Sequence, residues 1–218
     1  MTGPADAGDI GLVEQSRRSW PEFGTERAVW IPCPAGFPEG GDRYSWARRY
    51  ATEWWSKSGA GYGDSQVAGL AKILIEMREL VYRPGQCHLA VIHLPPPQLR
   101  PLRVLEPVPV GIGVWQLSGE REARLRLLTN ADNQNAVEPP LVEEFGNDEL
   151  GTGLKTLRYG RLPDGSLFAA ANYAFRSEEY ETDLRFDSSC PDLAQLKAAL
   201  PDIDELVRTT SLGAWNRD

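Results

Sequence analysis

The spacing of apolar positions changes character along the chain. The first 26 residues are polar and Gly-containing, without sustained periodicity. They read as a flexible N-terminal arm, with the rest, 27–218, as one domain. "AVWI" at 28–31 reads as a short strand, and Pro32, Pro34 and Pro38 then force an extended exit. Helical spacing follows. Over 42–57, Tyr44, Ala47, Ala51 and Trp55 fall on one side, widened by Tyr50 and Trp54. Arg48, Arg49, Thr52, Glu53 and Ser56 lie opposite, and Asp42 is a suitable N-cap. Over 65–82, Val67, Leu70, Leu74, Met77 and Val81 share a second helical face, with Asp64 as its cap and Pro84 beyond its end.

The period then drops to two. "CHLAVIHL" (87–94), "PVGIGVWQL" (109–117) and "EARLRLLT" (122–129) read as strands, the last with Ala123, Leu125 and Leu127 on one face and Arg124 and Arg126 on the other. That stretch also fits a short helix. Residues 130–150 are acidic, with a short strand near 141–145. "GLKTLRYGRLPDGSLFAAANYAF" is a hairpin turning at "LPDGS". "YETDLRFDS" (180–188) alternates Tyr180, Thr182, Leu184 and Phe186 as one more strand. A helix starts near 190 with Pro191 in its first turn, breaks at Pro201 and resumes briefly. Two helices, a run of about six strands and closing helices argue for an α+β domain built on an antiparallel β-sheet.

Charge divides unevenly over this layout. Residues 1–129 hold 15 basic and 14 acidic side chains, while 130–218 hold 8 and 17, within a total of −8. That balance lacks the footprint of a nucleic-acid binder and is repelled by anionic membrane surfaces. If the acidic surface of the second half is functional, a basic protein is its natural partner; solubility alone also accounts for a charge of this size. Arginines outnumber lysines 19 to four, a bias of GC-rich coding. Cys33, Cys87 and Cys190 are odd in number and widely spaced, so reduced, buried thiols are expected. The opening residues have no apolar signal region and the apolar runs are short, so a cytoplasmic protein is expected.

Candidate chemistry is sparse. "GAGYGD" at 59–64 places Asp64 where a dinucleotide fingerprint needs glycine, follows a helix instead of a strand, and lacks the Lys-Ser/Thr of a P-loop. Its glycines are better read as the end of one helix and the start of the next, with Gly59 as the left-handed C′ residue. His88 and His93 are five apart on one strand, so they face opposite sides and cannot share a metal. No GxSxG elbow occurs. No cofactor is expected. Seven tryptophans are many for this length, and Trp20, Trp115 and Trp215 are candidate contact anchors. Glu143, Glu144, Glu178 and Glu179 are the acidic candidates.

The layout resembles the Mog1/PsbP-like family. "IPCPAGFP" matches its opening strand and proline-rich exit, and "YETDLRFDSSCPDLAQLKAALPDIDELVRTTSL" is similar to the closing strand and helices of its bacterial members. The resemblance spans about residues 28–212. It implies an α/β/α sandwich without a catalytic centre, acting by binding proteins, as in small-GTPase handling or photosystem assembly. Two expectations result. The first is a cytoplasmic, non-enzymatic module that binds a protein through its acidic second half or an exposed aromatic patch. The alternative is a small-molecule enzyme whose cleft is lined by the aromatic helix face and served by His88 or His93 as a lone base.

Overall fold

The computed structural model describes residues 20–22, 29–37, 41–57, 61–82, 87–95 and 107–213, and the backbone alone at Trp20. Strand β1 (Trp20–Glu22) is followed by β2 (Trp30–Cys33), α1 (Arg43–Ser56), α2 (Asp64–Val81), β3 (Leu89–His93), β4 (Val108–Gln116) and α3 (Arg121–Thr129). Then come β5 (Leu141–Asn147), β6 (Gly151–Arg161), β7 (Leu167–Ser177), β8 (Thr182–Cys190), α4 (Leu193–Thr209) and β9 (Ser211–Gly213). The class is α+β. A seven-stranded, fully antiparallel sheet runs in the order β2-β3-β4-β8-β7-β6-β5, and β1 pairs with β9 in a separate ribbon. So three residues of the span read as an arm are strand. The remainder of 1–26 lies outside the described residues.

Helices cover both faces. Tyr173, Phe175, Leu184 and Phe186 bury one sheet face against Leu196, Ile203, Leu206 and Val207 of α4. On the other face, α1 and α2 pack over Ile31, Cys33, Ala90 and Ile92. Beside them Leu125 and Leu128 of α3 meet Ala174, Leu154 and Trp115. Pleating explains the division, because alternate residues of each strand serve opposite layers.

Several sequence expectations are corrected. Residues 122–129 are helix. The Glu120 carboxylate caps the amides of Glu122 and Ala123 at 2.9 and 2.8 Å, and Asn130 closes the other end at φ 55°. Glu, Ala, Arg and Leu are strong helix formers, and no β-branched residue appears before Thr129. The helical turn buries Leu128 and leaves Leu127 65% exposed, where alternation had grouped Leu127 with Leu125.

The α1 stripe is rotated from its expected position. Trp46, Ala47, Ala51 and Trp54 are buried, while Tyr44 is outside. The two indole N–H groups reach Pro32 O and Pro95 O at 3.2 and 3.0 Å, which gives each buried tryptophan its polar partner. Asp64 is the first residue of α2, and Gly63 is its N-cap, with the Gly63 amide donating to Gln66 Oε1 at 3.0 Å. Pro191 precedes α4, which Asp192 caps through Ala194 and Gln195. Pro201 does not break that helix. Leu196 and Ala199 before it and Ile203, Leu206 and Val207 after it are all buried, so packing on both sides outweighs the missing amide. The "LPDGS" hairpin forms as expected, with Gly165 at φ +88° and the Leu162 amide on Ser166 O at 2.8 Å.

Candidate functional site

The central strands carry charge on the face shared by α1, α2 and α3. Pairing aligns Thr156, Asn172, Asp187 and Gly111 in one row across β6, β7, β8 and β4. Arg185 and Arg158 flank that row two residues away on β8 and β6. Both Asn172 and Arg185 donate to Asp187 Oδ1. Arg158 Nε approaches Asn172 Oδ1 at 3.4 Å, and its guanidinium lies 5.5 Å from the Phe168 ring centre. Burial pushes the Asp187 carboxyl above the usual carboxylate range, against the pull of Arg185, Asn172 and Arg158. Burial and the adjacent Arg185 lower the Arg158 guanidinium, with Asp187 opposing. The C-terminal end of α2 stands over Gly111, where a Cβ would lie 3.0 Å from Val81 Cγ1 and 3.4 Å from Cys87 Sγ. The polar row therefore forms a floor between α2 and α3.

A second charged cluster lies on the same face. Arg176 and Asp183 are direct cross-strand partners with side chains 3% and 0% exposed. Asp183 accepts from Arg176 Nε at 2.7 Å, Arg176 Nη2 at 3.1 Å and Arg124 Nε at 3.2 Å. Arg176 also donates to Ser118 O and Gly119 O, pinning the turn that leads into α3. Both clusters were missed by sequence reasoning. The available signal was the alternation Asp183, Arg185, Asp187 on β8, which by itself resembles a solvated strand face.

The two histidines face opposite layers, as their spacing requires. His93 is 3% exposed, and its Nε2 lies 2.8 Å from Asp202 Oδ2, joining β3 to α4 beside the Trp30 ring. This is a histidine–carboxylate pair of the kind the enzyme reading asks for; its imidazole is buried between sheet and helix, while the Asp202 carboxylate is 31% exposed. His88 Nδ1 accepts the Val114 amide at 3.0 Å, with Trp115 edge-on. Burial lowers the His88 pKa below its ordinary 6.5. Because the folded value is depressed, this histidine adds stability above pH 6.5 that is lost as pH falls through the folded value. A His88→Asn variant, whose Oδ1 still accepts from Val114, is expected to lose that acid sensitivity. Urea midpoints at pH about 7.5 and about 5 should converge relative to the parent chain, and an unchanged pH slope would remove His88 as its source.

Burial also pushes the thiols up, Cys33 to about 12 and Cys87 to about 11, so neither is a ready nucleophile. Tyr82 donates to Cys33 O at 2.7 Å and Arg78 to Pro34 O and Ala35 O at 2.9 Å each, so α2 grips the proline-rich exit. Gly59 lies outside the described residues. Past it, Tyr62 stacks on Trp55 and Arg48 pairs with Asp64 at 2.8 Å, a packed junction of two helices.

The expected contact residues are scattered. Trp115 is half-buried beneath α3. The Trp20 backbone pairs with Gly213, and Trp215 lies outside the described residues. Glu143 and Glu144 stand on opposite faces of β5, the end strand of the sheet. Glu143 meets Lys155 at 3.3 Å, and Lys155 also pairs with Asp204, which accepts from Tyr173 Oη at 2.6 Å. Glu178 and Glu179 occupy the exposed β7–β8 turn, at the same sheet end as Asp148 and Glu149 between β5 and β6. A groove of about 490 Å³ runs between α1 and α2 over Ala68, Ala71 and Ile75. Its rim charges pair with each other, Arg43 with Glu79 and Lys72 with Glu76.

No family profile matches the chain, and no curated protein matches it. Among solved structures it is similar to the Saccharomyces cerevisiae Ran-binding protein Mog1p, at 10% identity and a TM-score of 0.34. The match covers 56% of this chain and 78% of that one. No residue role is transferred across so weak a likeness.

Proposed function

We propose that this chain is a non-catalytic, cytoplasmic protein-binding module that takes an extended basic segment of its partner onto the outer edge of β5. The carrying observation is that edge. Among the described residues no strand pairs with it, and Leu141 on it is 58% exposed. An open edge offers unpaired backbone N–H and C=O groups for strand addition. Glu143 and Glu144 project to opposite faces of the strand, so an incoming strand with basic residues at successive positions meets a carboxylate on either side. The same carboxylates disfavour a second copy of β5, because like charges would be brought together. Asp148, Glu149, Glu178 and Glu179 extend the negative surface around the sheet end and favour encounter with a basic partner.

The test is a titration of the full chain with the octapeptide Thr-Val-Thr-Lys-Lys-Thr-Val-Thr, whose adjacent lysines face opposite sides of a strand, read by amide shifts and hydrogen exchange. Protection should appear on β5, weaken as salt rises, and vanish in the Glu143→Lys/Glu144→Lys variant. Shifts confined to the α1–α2 groove, or protection indifferent to that double substitution, would overturn the assignment.

A further inference from the structure

We infer that the partner segment taken by the β5 edge carries two adjacent basic residues followed, two positions on, by a large apolar side chain that seats on Leu141 and Tyr159. The inference rests on β5 being a docking strand and names what docks there. An apolar patch at the open edge carries it. Leu141 pairs directly with Leu157, and Tyr159 is the next residue of β6 on that face. The Val137 amide donates to Tyr159 O at 2.9 Å, which continues the patch past Pro139 and Pro140. Leu141, Val137 and Tyr159 are 58%, 49% and 39% exposed. Apolar side chains scattered singly over a surface need no partner, but these adjoin one another and the edge left open among the described residues.

Register fixes the order of the partner's residues. Leu141, Glu143 and Phe145 share the α4 face of β5, and Glu144 lies on the other. On the α4 face Glu143 and Asp204 meet one cation, Lys155, at 3.3 and 3.0 Å, while Arg208 beside Phe145 is matched by Glu205 at 2.9 Å. One negative charge is therefore left for a partner's cation on that face, and Glu144 offers another on the opposite face. A side chain opposite Leu141 is two positions from the one opposite Glu143 and on the same face. Pro139 and Pro140 have no amide to donate, so the added ladder ends at Leu141. Every neighbouring pair in the seven-stranded sheet is antiparallel, and antiparallel pairing is the more stable per residue. An incoming strand of that polarity runs from the Asp148 and Glu149 end towards Leu141. From its N-terminus it reads basic, basic, any residue, apolar.

The experiment titrates the full chain with three octapeptides whose ends are acetylated and amidated, so that terminal charge does not choose the polarity, and follows the amide shifts of β5 and β6. Thr-Thr-Thr-Lys-Lys-Thr-Phe-Thr should bind about fivefold tighter than Thr-Thr-Thr-Lys-Lys-Thr-Thr-Thr, the upper range for one cross-strand aromatic contact, and should shift Leu141, Leu157 and Tyr159. The reversed peptide, Thr-Phe-Thr-Lys-Lys-Thr-Thr-Thr, has the same composition and should bind like the peptide without phenylalanine. Leu141→Thr places a good strand former at an exposed position, so the fold should be kept. In that variant the preference for phenylalanine should be lost while the phenylalanine-free peptide binds as before. A phenylalanine that adds nothing in either position, or a gain that survives in Leu141→Thr, would overturn the apolar seat and leave β5 docking standing. Tighter binding of the reversed peptide would overturn the order of residues. If none of the three peptides shifts β5, the docking strand itself falls, and this inference with it.

Discussion

Asp183→Ala should destabilise the fold by about 3–5 kcal/mol, the range for breaking a buried ion pair by removing one partner. For a domain of this size that is a fall in melting temperature of about 10 °C. The carboxylate is fully buried and receives three arginine N–H bonds. Without it Arg176 remains buried beside Arg124 with no countercharge, although it still reaches Ser118 O and Gly119 O. Those contacts hold the turn before Glu120, so the cap of α3 is also placed at risk. The desolvation penalty of the pair is largely offset by its own attraction, which makes the double substitution informative. Arg176→Met/Asp183→Leu should recover most of the loss, since Ser118 and Gly119 are exposed and can be hydrated. Urea unfolding of the parent, single and double variants decides it. A single-variant loss below about 1 kcal/mol would mean the pair behaves like a surface bridge.

The elements whose period is long or whose turns are specific were legible in the sequence. Asp42 capped α1 as expected, with its Oδ1 on the Tyr44 and Ser45 amides, and the "LPDGS" turn set the β6–β7 hairpin. Local alternation failed at 122–129, because three leucines in eight residues fit either period. The caps Glu120 and Asn130, which decide the matter, lie just outside the stretch. Pro201 misled for the opposite reason. A local rule against proline was overridden by a buried stripe visible only once α4 is docked on the sheet. The charged floor was hidden by topology. Asp183, Arg185 and Asp187 read as a wet face until β8 is placed in the middle of the sheet, between β4 and β7, with helices over that face. Strand order is not written in the spacing of one strand, so the two clusters the structure brings together could not be assembled from their residue types.

The acidic edge and the polar floor also differ in what would unmake them. Glu144 is exposed, so its substitution should change encounter and leave stability nearly untouched, whereas Glu143 also pairs with the buried Lys155 across the ladder, and a lysine in its place would set like charges opposite each other. Asn172 and Arg185 both bond Asp187 in the sheet interior, so removing any of the three should cost stability.

Gly153→Ala is expected to be the most damaging single-methyl addition, at roughly 3 kcal/mol, the upper end for overpacking a tight site. Gly153 pairs with Phe145 on β5, on the face that packs towards α4. A Cβ there would stand 2.5 and 2.7 Å from Cδ1 and Cε1 of Phe175 and closer still to the carbonyl oxygen of Ala174. Phe175 is 0% exposed and edge-on to both Phe145 and Phe186, so its ring has nowhere to swing. The Ala174 carbonyl belongs to the ladder between β6 and β7 and cannot retreat without opening it. The strain therefore falls on the backbone that positions the whole β5 edge. Gly213→Ala is the matched control, because the atoms its Cβ would meet belong to the far end of the exposed Glu22 side chain, which can swing away. Thermal unfolding of the two variants should differ by several degrees, with Gly153→Ala lower. Peptide protection on β5 should weaken in Gly153→Ala alone. Equal melting of the two variants would show that β6 has room to shift at Gly153, and the rigid-edge account of β5 would fall with it.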